Sequence, residues 1–596
     1  MKQIFWVIGL VLCSYYGFSQ NSQLAKQYFE DGDFDKALPL YEQLYEKQPQ
    51  NTTWFNYVVE CQQQMGNYEK AQELLEDKIA ASRFPQPLLE VDLGQNYILQ
   101  KQPEKAQTYF DKAIAYLNEK PAYAGTIGYR FRKYTLLDQA VEAYTLAMKL
   151  RPELNYNYQL AGIYGEQGNI EKMFDTFLTL SQTNDTQRTQ IERAITQFIS
   201  EDATDENNLL LKKLLLKRSQ TNPAIIWNEM LSWLFVQQKQ YNMAFIQEKA
   251  IYKRTDEISL DRLTDLALAA TEDQEKSTAI DIYNFLIAHT EFAEAKLDAE
   301  LAIIKLELSE NSADIKSIEK KFDQLLDTYG INTHTIPLQI AYAHFIAFNK
   351  NEPNTAEKHL KKVLDLRLSP FDASLLKMEL ADILVFEERF NEALIYYSQI
   401  QKTMKNDVAG QNAMFKVAQT SFYKGDFDWA ENQLNILKQS TSQLIANDAL
   451  QLKLLITDNS QDDSLQVALK IYAKADLLAY QNKNTEAISL LDSILIHHKG
   501  ESIEDEALLK QGKLYEKTGQ FEKAIVNYEK MLAFFDGDIL TDDALFAMAS
   551  LYEHQLNDAE KAKEYYEKII FNHQDSIYFV EARKAYRKLR GDQVDL

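Results

Sequence analysis

An alanine followed four residues later by a bulky apolar residue recurs along the first quarter of the chain at steps of 34, 35 and 34 residues. Residues four apart lie on one face of an α-helix, where a small one lets a second helix come close and a large one fills the adjoining space. Repetition at such a step indicates an array of similar helical units rather than one central core. The pairs are Ala37/Tyr41, Ala71/Leu75, Ala106/Phe110 and Ala140/Tyr144, and Met173/Phe177 follows after 33 residues.

A second cluster of small and aromatic residues precedes most of these pairs, with a polar turn between the two clusters. Gly94 with Tyr97 and Gly128 with Phe131 are examples. In turns such as "QMGNYEKA" the glycine accepts the left-handed backbone that ends a helix. A proline such as Pro49 stops the second helix, because proline cannot continue one. Each unit is therefore predicted to be a hairpin of two antiparallel helices.

The pattern resembles the tetratricopeptide repeat, which carries leucine-glycine, tyrosine, alanine, phenylalanine, alanine and proline in that order. These positions are matched here by Leu93, Gly94, Tyr97, Ala106, Phe110 and Ala113. Asn118 stands where the proline would be. The resemblance implies an all-α fold, a right-handed superhelix of about 14 to 16 helical hairpins. Where the regular spacing of these pairs is interrupted, we expect degenerate repeats, around 209–216 and around 318–322.

Acidic, turn-rich stretches interrupt the phase and serve as candidate boundaries. They cover residues 200–208, 309–314 and 457–464. The predicted organisation is an N-terminal array over 20–199, a degenerate middle array over 200–456, a C-terminal array over 457–573, and a capping helix and tail over 574–596. The last repeats resemble those of periplasmic proteins that assemble the outer membrane or coordinate envelope complexes. We interpret the basic helix that follows as a polar cap on the open end of the array.

Residues 1–19 are predicted to be a secretory signal peptide cleaved near Ser19, because the apolar run from Ile4 to Cys13 is too short to span a bilayer. An uncleaved anchor and a lipoprotein acylated on Cys13 are the alternatives, and Leu12 argues against the lipoprotein. The signal resembles those of Bacteroidota-like Gram-negative bacteria. We therefore expect a periplasmic protein, with attachment to the outer membrane as the alternative and no transmembrane segment after cleavage.

The chain has a formal net charge of -24, which makes nucleic acid and anionic lipid poor partners for the molecule as a whole. The total charge does not exclude locally basic patches. After signal cleavage Cys61 would be the single cysteine, so the fold must hold without an internal disulfide.

No motif of catalytic or metal chemistry occurs in the sequence. The eight histidines form no H-E-x-x-H motif, and there is no G-x-S-x-G elbow, P-loop or G-x-G-x-x-G. The stretch "DNSQDDS" lacks the glycine and glutamate of a calcium loop, since Asp463 and Leu469 occupy those places. We expect no catalytic residue, no cofactor and no metal, and hence a protein that is not an enzyme.

One segment, "GYRFRKY" at 128–134, stands out as a candidate binding element. Gly128 and Phe131 take packing positions, which turns Tyr129 and Arg132 toward the groove of the array. Cations and aromatic rings in an acidic chain suit an acidic or carboxylate-ended peptide. The alternative is a local salt-bridge network with neighbouring acidic helices. The predicted partner-binding residues are Tyr129, Arg130, Arg132, Lys133 and Tyr158.

The function predicted from the sequence is a non-enzymatic scaffold of the cell envelope that binds partner proteins along the concave surface. Groove positions such as Val91, Gln95 and Ile98 would then carry the specificity. One alternative is a lipoprotein adaptor, tethered to the outer membrane, for outer-membrane protein assembly or secretion. Another is a glycan- or peptidoglycan-binding protein, or one associated with an envelope enzyme.

Overall fold

The computed structural model describes residues 21–591, with gaps at 184, 256–258, 310–312, 406, 438–442, 461–465 and 536. The predicted signal peptide and Cys13 lie outside the described residues. Within them there are 32 α-helices and no β-strand, so the predicted all-α fold is confirmed. The chain divides into two compact units. The first reaches residue 199 and includes 203–227, and the second comprises 200–202 and the chain from 228 onward.

The first unit contains twelve helices and the beginning of a thirteenth, which includes the division at residues 227 and 228. They are α1 (21–30), α2 (Phe34–Lys47), α3 (Thr52–Gln64), α4 (Tyr68–Ala80), α5 (Pro87–Leu99), α6 (Pro103–Ala115), α7 (Ala124–Lys133), α8 (Leu137–Leu150), α9 (Asn157–Glu166), α10 (Ile170–Thr183), α11 (Arg188–Thr196), α12 (Glu206–Thr221) and α13 (Ile225–Gln237).

The remaining helices belong to the second unit. They are α14 (Tyr241–Arg254), α15 (Asp261–Glu272), α16 (Lys276–His289), α17 (Ala293–Leu308), α18 (Ile315–Tyr329), α19 (Ile336–His344), α20 (Pro353–Leu364), α21 (Pro370–Phe386), α22 (Phe390–Thr403), α23 (Val408–Lys424), α24 (Phe427–Leu437), α25 (Gln443–Asp458), α26 (Val467–Tyr480), α27 (Asn484–His497), α28 (Ile503–Lys517), α29 (Phe521–Phe534), α30 (Thr541–His554), α31 (Ala559–Asn572) and α32 (Phe579–Arg590).

Small residues hold the two helices of a hairpin together, as the sequence predicts. Ala106 and Phe110 of α6 are buried against α5, and a Cβ added at Gly94 of α5 would overlap the Phe110 ring. The same relation recurs between Gly128 and the ring of Tyr144. Because a ring takes the space that a side chain would need, only glycine permits this separation of the helices.

Both intervals that the sequence marks as degenerate repeats are helical. In α18 Ile318 and Phe322 are buried in the core of the second unit. In α12 Leu211 and Leu215 are buried. The array thus continues through these intervals without the consensus residues. The predicted division into three arrays and a cap stays a prediction, and part of its boundary at 457–464 lies outside the described residues.

The second unit contains a link between helices far apart in sequence. The Gln481 Nε2 atom, just beyond α26, donates a hydrogen bond of 2.8 Å to the backbone oxygen of Phe386 at the end of α21. Lys474 forms an ion pair of 2.7 Å with Glu388 beside it. The rings of Phe386 and Tyr480 meet edge to face. This cluster ties α26 to the turn after α21, over a sequence separation of about three hairpins.

The turn inside each hairpin needs one residue in the left-handed region of backbone space. Gly32, Gly66 and Gly168 fill that place with φ values of +80°, +78° and +72°. Thr135 fills it between α7 and α8 with φ +57°. A β-branched residue is strained there, because its Cβ crowds the backbone.

Replacing Thr135 with glycine should therefore stabilise the α7–α8 hairpin by about 1 kcal/mol. Hydrogen exchange of the amides in these two helices measures the change locally, which suits an array that need not unfold in one step. The matched control is Gly66→Ala, where no atom lies within 4 Å of the added Cβ. It should lower protection of α3 and α4 by a similar amount. Weaker protection of α7 and α8 in Thr135→Gly would contradict the assignment of strain.

Candidate partner-binding surface

Helix α7 carries four of the five residues predicted to bind a partner. Ile127, Gly128 and Phe131 are buried on one face of α7. That burial turns the opposite face outward, and Tyr129 is 65% exposed there. The predicted orientation of Tyr129 therefore follows from the packing of its neighbours.

Arg130 is committed to an ion pair with α5. Its Nη1 atom lies 2.7 and 2.8 Å from the two carboxylate oxygens of Asp92, and the Tyr134 hydroxyl donates to the same carboxylate at 2.8 Å. The side chain of Asp92 is 4% exposed and that of Arg130 is 15% exposed. Burial raises the pKa of Asp92, while Arg130 and Tyr134 oppose this shift. Arg130 thus forms the salt bridge that the alternative interpretation of this segment expects.

Arg132 and Lys133 also have acidic partners, but these pairs lie nearer to solvent. The Nε atom of Arg132 donates to Glu166 at 2.9 Å, and both side chains are about 40% exposed. This hydrogen bond raises the pKa of Arg132. Lys133 pairs with Glu60 of α3. Exposed pairs contribute little to stability and leave their cations able to change partners.

Glycine makes room for the Arg132 guanidinium on the next helix. A Cβ added at Gly162 of α9 would meet the Nη2 atom of Arg132 at 3.5 Å. The guanidinium therefore lies close along the α9 backbone, beside its partner Glu166. An alanine at 162 would make an ordinary van der Waals contact with the cation, whereas a longer side chain would compete with it for this space.

Tyr158, the fifth predicted residue, lines a cavity of about 320 Å³ in the same unit. Its ring meets Phe177 edge to face, with the ring centroids 5.7 Å apart. The cavity is bounded by Asn155, Tyr158, Gln159, Leu180, Gln187 and Gln190. Four of these six residues are carboxamides. The Gln159 Oε1 atom is buried and has no hydrogen-bond partner within the described residues.

The carboxamide group at the cavity was not predicted from the sequence. Asn155 and Gln159 lie on or beside α9, whereas Gln187 and Gln190 lie at the start of α11. Because α9 and α11 belong to different hairpins, no spacing within one repeat links the two pairs. The run "NYNYQ" at 155–159 is the one available signal, since it places amides on both sides of Tyr158.

The three groove positions named from the sequence behave differently. Ile98 is exposed, as expected of a groove residue. Gln95 is half-buried, and its Oε1 atom has no hydrogen-bond partner among the residues described. Val91 is fully buried in the core of the first unit, so the prediction that it faces the groove was wrong. Its neighbours pack over it because α5 lies between flanking hairpins.

Two further features of the described chain bear on its chemistry. Across the described ranges, no three or more histidine, cysteine, aspartate or glutamate side chains converge in a way that would hold a metal ion. In the same residues no helix has both the length and the apolar character needed to cross a bilayer.

The two neighbouring arginines should respond very differently to substitution. Arg130→Met leaves the Asp92 carboxylate buried without its partner and should destabilise the protein by about 3 kcal/mol. Arg132→Met removes an exposed pair and should cost less than about 1 kcal/mol. Thermal unfolding followed by circular dichroism measures both, and Asp92→Asn combined with Arg130→Met should recover part of the loss. Equal melting temperatures for the two single variants would contradict the structural role of Arg130.

Three profiles of the tetratricopeptide repeat match the sequence, over residues 28–83, 472–539 and 543–576. Comparison with curated proteins found no match. Among solved structures, similarity extends to "Crystal structure of APC/C hetero-tetramer Cut9-Hcn1", at 12% identity, 96% coverage of both chains and a TM-score of 0.25. It also extends to "Structure of Naa15/Naa10 bound to HypK-THB", at 13% identity, 96% coverage of both chains and a TM-score of 0.26.

Both TM-scores are too low to relate the shapes of the whole chains. The family profiles match at both ends of the chain, and the buried alanines and rings of the hairpins agree with the repeat pattern. These three segments of the chain match the tetratricopeptide repeat, and the helical hairpins of the structure agree with that match.

Proposed function

We propose that this protein is a non-enzymatic scaffold of the cell envelope, which binds a segment of a partner protein on the surface formed by α7, α9 and α11. Tetratricopeptide arrays serve protein-protein interaction, because their stacked helices offer an extended surface that packing leaves available. The observation that carries the proposal is the set of exposed or exchangeable groups on this surface, which comprises Tyr129, Arg132, Lys133 and the amides around Tyr158.

The charges favour a partner segment with acidic side chains or a terminal carboxylate. Arg132 and Lys133 now pair with carboxylates of the chain itself, and both cations are 40% exposed. A partner carboxylate can replace Glu166 at small cost, since an exposed pair contributes little. The exchange costs more at Lys133, because Glu60 is only 17% exposed. Arg130 is not part of this exchange because Asp92 holds it in a buried pair.

The amides favour the main chain of the partner. Carboxamide groups donate and accept hydrogen bonds at once, as the peptide backbone does. The unpaired Oε1 atom of Gln159 supplies an acceptor that a backbone N–H can satisfy. An exposed tyrosine such as Tyr129 adds a large contact surface that loses little rotamer entropy on binding. The surface therefore suits an extended acidic peptide with at least one side chain against an aromatic ring.

Site-specific photo-cross-linking in the native cell tests this surface. A photoreactive phenylalanine analogue at Tyr129 or Tyr158 should form an adduct with a partner protein. The same analogue at Phe84, which is 78% exposed elsewhere in the first unit, should form none. Adding Arg132→Glu and Lys133→Glu should lower the adduct yield at least tenfold and leave the melting temperature within about 2 °C.

The matched charge control is Lys70→Glu with Lys149→Glu, which makes the same change in net charge on exposed lysines of the first unit. It should leave the adduct yield unchanged. An unchanged yield in the Arg132 and Lys133 variant would refute the charge-based site. Failure to obtain any protein adduct at both tyrosines would refute the scaffold function of this surface.

The envelope location rests on the signal-like residues 1–19, which precede the described chain. We expect the mature protein to begin at Gln20 and to lie in the periplasm. Mass spectrometry of the amino terminus of protein purified from the native envelope tests this. An acylated chain beginning at Cys13 would contradict the soluble form and support tethering to the outer membrane, and an intact Met1 would contradict signal cleavage.

A further inference from the structure

The outer face of the last helix, α32, is strongly basic. Ala582 is buried, while Val580 on the opposite side of the helix is 70% exposed. All five cations of α32 surround Val580 on the outward side, and Glu581 is the single carboxylate within this helix. They are Arg583, Lys584, Arg587, Lys588 and Arg590. In a chain with a net charge of -24, such a face stands apart from its surroundings.

Part of this charge is left uncompensated. Lys584 pairs with Glu201 at 2.8 Å, and Arg583 lies over the ring of Phe579. In the part of the chain that the structure describes, neither Arg587 nor Lys588 forms an ion pair. A cap that served solubility alone would tolerate carboxylates among its cations, but this face is almost purely positive.

Exposed apolar side chains lie along the adjoining edge of the second unit. Ile496, Phe534 and Phe571 lie at the carboxyl ends of α27, α29 and α31 and are 70%, 76% and 65% exposed. They are separated by 38 and then 37 residues, which is the local repeat step. Equivalent positions of consecutive hairpins lie side by side, so these residues form a row. Ile539 and Ile577 follow in the connecting loops, 64% and 72% exposed.

We infer that this end of the second unit binds the surface of an anionic lipid bilayer. The apolar row, defined by Ile496, Phe534 and Phe571, enters the boundary between headgroups and acyl chains. The loop residues Ile539 and Ile577 enter it as well. The basic face of α32 lies against the lipid phosphates. Apolar side chains beside lysine and arginine on one surface are the pattern of proteins that lie on membranes without crossing them.

Charge and shape favour lipid over a protein occupant. The apolar side chains project from helix ends and loops, where a bilayer can receive them without a matching pocket. The cations on α32 are spread over about two helical turns, as contact with a field of mobile headgroups requires, rather than gathered around one acceptor. The net negative charge of the chain disfavours contact with anionic lipid elsewhere, so the basic face of α32 would orient the protein on the membrane.

Co-sedimentation with vesicles tests the inference. The full-length protein should bind vesicles of phosphatidylcholine with 30% phosphatidylglycerol at least tenfold more tightly than vesicles of phosphatidylcholine alone, and 0.5 M NaCl should reduce the difference. The triple variant Arg583→Gln, Arg587→Gln, Lys588→Gln should lose at least tenfold in partitioning. Phe571→Ser with Ile577→Ser should show a similar loss. All variants share residues 1–20, so that segment contributes equally to each.

The chain offers matched controls for both changes. Lys316→Gln, Lys320→Gln and Lys358→Gln remove three exposed cations elsewhere in the second unit. Phe84→Ser with Phe292→Ser removes two phenylalanines that are 78% exposed. Both controls should bind vesicles like the unmodified protein. Equal binding to neutral and anionic vesicles, unchanged binding of the α32 variant, or an equal loss in the controls would overturn the proposal. Circular dichroism confirms that each variant is folded.

Discussion

Contact between a small residue on one helix and an aromatic ring on the next determines the spacing on which the whole array depends. At Gly94 and Gly128 the ring of the partner helix occupies the volume that a side chain would need. Gly512 has the same relation to Tyr528 near the other end of the chain. These three hairpins therefore share one close contact, which leaves no room for a side chain at the glycine. Within the described residues the buried side chains form successive clusters along the array, and this local contact recurs within them.

Because each repeat packs mainly on its neighbours, the faces turned away from these contacts are open to other roles. In the first unit, ion pairs between neighbouring hairpins lie on these faces. Asp92 and Arg130 join α5 to α7 in a buried pair, which makes a firm link between hairpins. Arg132 and Glu166 join α7 to α9 in an exposed pair that contributes little. Arginine thus links two hairpins at position 130, whereas at position 132 it remains available to bind a partner.

The periodic part of the structure could be predicted from the sequence, because packing positions recur at a fixed step and obey elementary helix geometry. The hairpins, the left-handed turn residues and the exposure of Tyr129 all follow from that step. The link between Gln481 and Phe386 could not be predicted, since it joins residues 95 apart that no repeat spacing relates. The buried partner of Arg130 was missed for the same reason, because a sequence does not state which of many carboxylates lies across a groove.

Burial also decides which charges carry information about function. Glu506 is one case, since burial raises the pKa of its carboxyl group, which also accepts a hydrogen bond from Asn459. A carboxyl group held in this way is not available to bind a partner protein. Arg587 and Lys588 on α32 differ from Glu506, because neither cation forms an ion pair within the described chain. In an acidic repeat protein a cation without a carboxylate partner is the less expected arrangement. Within the described residues its counter-charge is not supplied by a carboxylate, and the apolar row favours a partner that offers both phosphate and hydrocarbon.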